Sequence, residues 1–187
     1  VVLVLPTVSV LCACVLVRPT DWQLLWVRSI GFYGMVLLPV SLGVLASLVW
    51  RVEHQGSNGL VLMSAPVPTW RTVAAKAAAA WLLAAVMQLV LVMAAAAVGA
   101  LVLGLPGILP SRYLVAGLLI AVACAPVCAL QSGLSAFTRS FAVPVAIGLA
   151  LTGVGTTALL VHIPAAWLLP HALVTRTTQI GATSDGA

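Results

Sequence analysis

Residues 70–103 read WRTVAAKAAAAWLLAAVMQLVLVMAAAAVGALVL. The only charges are Arg71 and Lys76, both near the start. At ~1.5 Å per residue, a helix over this stretch exceeds the ~30 Å hydrocarbon core of a bilayer. Its first turns therefore belong to the headgroup zone, and a span is expected over 74–103. The stretch is rich in alanine: Ala77 to Ala80, Ala84, Ala85 and Ala94 to Ala97. Small side chains let helix backbones approach closely, which favours helix–helix contact over lipid contact.

The rest of the chain agrees with a membrane environment. Its 187 residues are 63% hydrophobic and 6% charged, with a mean hydropathy of +1.23. A soluble domain carries about a quarter charged residues. A surface so poor in charge suits hydrocarbon, where helices satisfy their own backbone groups. Further spans are expected over 1–17, 30–50, 113–137 and 141–162, making five. The first is read as the remainder of a longer helix. Trp22, Trp26, Tyr33 and Tyr113 are expected at the membrane interfaces, as an aromatic belt. Thr69 and Ser111 are the expected helix caps. Residues 163–187 are too short in apolar content to span, so a re-entrant or interfacial tail is expected, polar loop from Thr175 on.

Eight basic residues against three acids give a net charge of +5. The basic residues stand singly between apolar runs, as loop charges and snorkelling anchors, with no stripe for nucleic acid. They fall four on each side of the expected bundle, so charge leaves the orientation open. Cys12, Cys14, Cys124 and Cys128 all lie inside apolar runs, in neither a disulfide nor a zinc pattern.

Several chemistries are missing. Lys76 is the only lysine and follows Ala75, so no Walker A loop exists. The acids Asp21, Glu53 and Asp185 lie outside the apolar runs, which removes the usual intramembrane carboxylate of proton-coupled carriers. There is no His-Glu-x-x-His motif. Gly133-Leu134-Ser135 partly matches an intramembrane serine protease, with His162 as the possible base. Those two residues are expected at opposite ends of a span, so Ser135 reads better as a packing residue. Gln88, Gln131, Thr152 and Thr156 are polar groups at span depth. They are candidates for interhelical glue or for a substrate path.

The longest polar stretch, Arg51 to Arg71, contains Glu53-His54-Gln55-Gly56, then Leu60-Val61-Leu62-Met63-Ser64-Ala65-Pro66-Val67-Pro68, then Arg71 and, beyond, Lys76. This resembles the cytosolic signature of type-2 ABC exporter permeases. Leu130-Gln131-Ser132-Gly133-Leu134-Ser135, then Arg139-Ser140-Phe141 and Pro144, resembles the link between spans four and five in their lantibiotic-immunity branch. The resemblance covers nearly the whole chain. It implies an all-α integral membrane bundle, six spans in the complete domain, and a multi-pass location in the bacterial plasma membrane. It places segment 51–73 in the cytosol as a coupling helix that docks on a separate nucleotide-binding ATPase. Glu53, Gly56, Leu60, Leu62, Met63, Pro66, Pro68, Arg71 and Lys76 are the expected coupling residues. ATP and Mg would be bound by the partner, with no cofactor or metal in this chain. A second permease copy or paralogue would complete the transporter, whose cargo would be amphipathic or lipophilic, such as an antimicrobial peptide or a drug. The alternative is a non-transport membrane scaffold.

Overall fold

The computed structural model describes residues 1–16, 18–54, 68–138 and 140–179. Among the described residues, seven α-helices carry the fold: α1 Val4–Leu16, α2 Trp22–Phe32, α3 Leu38–His54, α4 Thr69–Ala97, α5 Ser111–Phe137, α6 Ala142–Leu160 and α7 Pro170–Gln179. No strand occurs among the described residues. Four helical stretches among the described residues are long and apolar enough to cross a membrane: Trp22–Arg51, Thr69–Val102, Ser111–Phe137 and Ala142–Leu160; α1 is a shorter apolar helix. The chain is an all-helical membrane bundle.

Two π-helical segments widen the long helices, Tyr33–Leu37 between α2 and α3 and Val98–Val102 after α4. The first precedes Pro39, which has no N–H to donate. There the Leu38 amide reaches back to the Tyr33 carbonyl, and the Ser41 hydroxyl bonds the Leu37 carbonyl at 2.5 Å. The proline is thus taken up by a wider turn, and the helix from Trp22 to Arg51 stays continuous. After the second π segment, Gly104 adopts φ +62°, and the Leu105 amide bonds the Gly99 carbonyl at 2.9 Å. That left-handed stop suits a residue without Cβ.

The α4–α5 pair is the most extensive contact, and α3 packs on α4, α5 and α6. The register of α4 on α5 is set by the Trp81 indole N–H, which donates to the Ala121 carbonyl at 2.8 Å, and by Val92 against Gly117. Pro126 withholds an amide donor from the Val122 carbonyl, next in the chain to the Ala121 carbonyl that Trp81 bonds.

Several local expectations are corrected. The second apolar helix starts at Trp22, with Asp21 as its cap, the carboxylate accepting from the Leu24 amide at 2.7 Å. Trp22, Trp26, Tyr33 and Tyr113 are buried against other helices rather than turned outward. Trp22 donates to the Pro106 carbonyl at 2.9 Å, and Trp26 stacks on Tyr113 with centroids 5.0 Å apart. Pro68 and Pro110, rather than Thr69 and Ser111, occupy the caps of α4 and α5 in extended or near-extended backbone. Proline's fixed φ suits that position without a side-chain bond. The segment beyond Thr175 is helical as far as Gln179. α7 folds back on α5 and α6 and buries Thr175 and Thr178, whose hydroxyls bond carbonyls of their own helix. That internal pairing is why so polar a helix can sit in the bundle.

Candidate functional site

Two polar groupings stand out in this apolar body. The first lies where α3 ends and α4 begins, flanking residues 55–67. Lys76 is half-buried on α4, and its ammonium donates to the Val49 carbonyl of α3 at 2.9 Å. It also sits 5.2 Å from the centroid of the Trp50 ring. A cation near the last carbonyls of a helix is favoured by the helix dipole, and the indole face adds a cation–π attraction of about 0.5–2 kcal/mol. The two helices that bracket the polar segment are therefore clasped together at their ends. Arg71 is exposed one turn and a half earlier, its guanidinium 5.5 Å from the centroid of Trp70. Trp70 is itself 66% exposed. Pro68 is exposed at the cap. Glu53 lies in the last turn of α3, its side chain outside the described residues, as are Gly56, Leu60, Leu62, Met63 and Pro66.

The second grouping is the set of neutral polar side chains inside the helices. Gln88 on α4 is buried, and its Nε2 donates to the Tyr33 hydroxyl at 3.0 Å. Gln131 on α5 is fully buried and lies against Gly148 of α6. Thr152 is buried one turn beyond, its hydroxyl bonded to the Gly148 carbonyl at 2.8 Å. Thr156 is half-buried on the same helix. The α4–α5 register separates the two glutamines. With Trp81 opposite Ala121, Gln131 falls near the level of Arg71 to Lys76, and Gln88 lies well beyond it toward the other end. Gln131, Thr152 and the Lys76 clasp share one half of the bundle, while Gln88 belongs to the Tyr33 junction.

Ser135 and His162 do not form a catalytic pair. Ser135 is buried in the last turn of α5. His162 follows the far end of α6 in left-handed backbone, φ 58°. The 19 residues of α6 lie between them, a rise of about 28 Å. His162 ends its helix too far from Ser135 to serve as its base.

The family described as ABC-2 family transporter protein matches residues 1–155. The chain belongs to the ABC-2 transporter family. No curated protein and no solved structure matches it. As an ABC-2 protein it is a membrane-spanning permease subunit, multi-pass in the bilayer, of a kind that works with a separate ATPase subunit. The match covers α1 to most of α6, and α7 lies beyond it. The Lys76 clasp lies at the base of the polar segment between α3 and α4.

Three contributors to these groupings carry no signal in the sequence. Tyr33 reads as an interface aromatic, Val49 contributes only a carbonyl, and Gly148 contributes only room. Each matters through the residue that arrives from another helix.

Proposed function

We propose that this ABC-2 subunit is an exporter permease of a bacterial plasma membrane, driven through the segment between α3 and α4. The observation that carries the proposal is the Lys76 clasp on Val49 and Trp50. A cytosolic segment gripped by an ATPase transmits force only if both of its roots are held to the bundle. The clasp holds them, so a push on the segment tilts α3 and α4 together, and α5 and α6 follow through their contacts with α3. This is rigid-body switching of packed elements. The coupling contacts assigned to the segment are Glu53 and Arg71 for charge and Leu60, Leu62 and Met63 for apolar burial. Gly56, Pro66 and Pro68 shape the turn.

Outward movement of an amphipathic or lipophilic compound, an antimicrobial peptide among them, is the transport direction and cargo we assign. In support, the buried polar groups named above are neutral amides and hydroxyls, which suit an uncharged cargo. A second copy or paralogue and two ATPase subunits complete the machine, with ATP and Mg bound in the partner. The lantibiotic-immunity branch is the placement within the family that the link around Gln131 to Pro144 favours.

The test is co-purification with an ATPase, followed by transport-coupled ATP turnover in vesicles. Reversing the charge at Glu53, or placing bulk at Gly56, is expected to weaken assembly or coupling. Full assembly and turnover in both variants would remove the coupling assignment.

A further inference from the structure

Gln131 is fully buried on α5, yet neither its amide oxygen nor its nitrogen has a hydrogen-bond partner among the described residues. The hydroxyl of Ser132 beside it is buried in the same condition. The cause is local. The carboxamide lies so close to Gly148 on α6 that a Cβ there would overlap its nitrogen. The Gly148 carbonyl already accepts from the Thr152 hydroxyl. α6 thus gives Gln131 room, and no hydrogen bond to it forms among the described residues.

The seam that holds this group is thin. α5 and α6 follow one another in the chain but touch little, while each packs broadly on α3 and α7. The most apolar window of α6 is only 28% buried, the least of the four spans. A buried amide without partners is costly, and a leucine or methionine of similar volume would carry no such cost. The seam also stands in the same half of the bundle as the Lys76 clasp, near the end that the ATPase is proposed to drive.

We propose that the α5–α6 seam at Gln131 is a cargo-binding site for a neutral, amide-bearing compound such as an apolar peptide. A carboxamide presents N–H donors beside a C=O acceptor, and a peptide group presents the complement. Partial separation of α6 from α5 lets the backbone of the cargo make the pairings that Gln131 leaves open. The inference rests on the export reading for its biological meaning, but its test needs neither ATP nor a partner subunit.

The test is thermal unfolding of the purified chain in lipid nanodiscs with N-acetyl-leucyl-leucinamide, against the ester analogue in which the central N–H is replaced by oxygen. The amide compound is expected to raise the melting temperature in a saturable way, and the ester to bind about tenfold more weakly for the lost donor. Gln131→Leu is expected to melt no lower than the native protein and to treat amide and ester alike. Equal binding of amide and ester to the native protein, no shift with the amide up to its solubility limit, or an unchanged amide preference in Gln131→Leu overturns the site. Should the variant fail to fold, the amide–ester comparison in the native protein decides alone. Lost preference with intact ATPase coupling removes only this site. A kept preference with no ATPase partner removes only the export reading.

Discussion

The Nε2 of Gln88 donates to the phenolic oxygen of Tyr33 across 3.0 Å, joining the middle of α4 to the first residue of a π-helical segment. The Oε1 of the same amide has no partner among the described residues. Its nitrogen has only a long second contact, 3.4 Å to the Ala84 carbonyl. The tyrosine is therefore the main polar anchor of a deeply buried amide. Removing one partner of such a pair costs more than removing both.

Tyr33→Phe is expected to lower stability by about 1–3 kcal/mol, because the Gln88 amide loses its good acceptor. Gln88→Leu in the Tyr33→Phe background is expected to restore most of the loss. Thermal unfolding of the purified single and double variants measures the cycle. A double variant less stable than either single one contradicts this account.

Lys76→Met keeps the length of the side chain and removes its charge. The Val49 carbonyl then loses a charge-assisted bond, a loss of about 1.5–3 kcal/mol in a partly buried setting. The expected outcome is a folded permease whose transport falls more than the ATP turnover of the complex, since α3 and α4 no longer move together. Paired transport and ATPase assays in vesicles read that ratio. Lys76→Arg, which retains a donor, is expected to lie between Met and native.

Gly153 and Gly155 give a paired comparison on α6. A Cβ at Gly153 meets nothing within 4 Å, whereas one at Gly155 meets the backbone nitrogen of Ala172 at 2.9 Å. Backbone cannot give way as a flexible side chain can. Gly153→Ala is expected to be neutral or to stabilise by up to about 1 kcal/mol through helix propensity. Gly155→Ala is expected to cost about 1–3 kcal/mol and to loosen α7, seen as faster proteolysis after Arg176. Equal behaviour of the two variants removes α7 from the packed bundle.

Orientation is open to direct labelling. In a background with Cys12 and Cys14 replaced by alanine, Ser57→Cys is expected to react with an impermeant maleimide only in inside-out vesicles. Ser111→Cys, on the exposed first turn of α5, is expected to react only in right-side-out vesicles. The reversed pattern removes the cytosolic lever and, with it, the proposed coupling.

The apolar runs foretold helices wherever the bilayer leaves the backbone no other way to satisfy its N–H and C=O groups. Local rules did less well near the helix ends. Thr69 and Ser111 have the chemistry of caps, but Pro68 and Pro110 hold those places through a fixed φ. α7 was illegible because a polar decapeptide looks like loop until α5 and α6 provide a surface for it. The aromatic residues misled for a related reason. Trp26 and Tyr113 have the amphipathic character of interface residues, yet each finds the other across the bundle. Of the expected coupling residues, Pro68, Arg71 and Lys76 fall where α4 emerges, while Glu53's side chain and Gly56, Leu60, Leu62, Met63 and Pro66 lie outside the described residues.

By itself, the order of residues determined the solvent of this protein and its helical character, because both follow from how much charge and how much hydrocarbon each stretch carries. Only the tertiary structure decided which polar groups are answered: Gln88 by Tyr33, Lys76 by Val49, Gln131 by none of the described residues. Those pairings depend on the rotation and register of one helix against another. Both are set by close contacts at small residues such as Gly117 and Gly148, and a single stretch of chain holds no record of what another will bring to it.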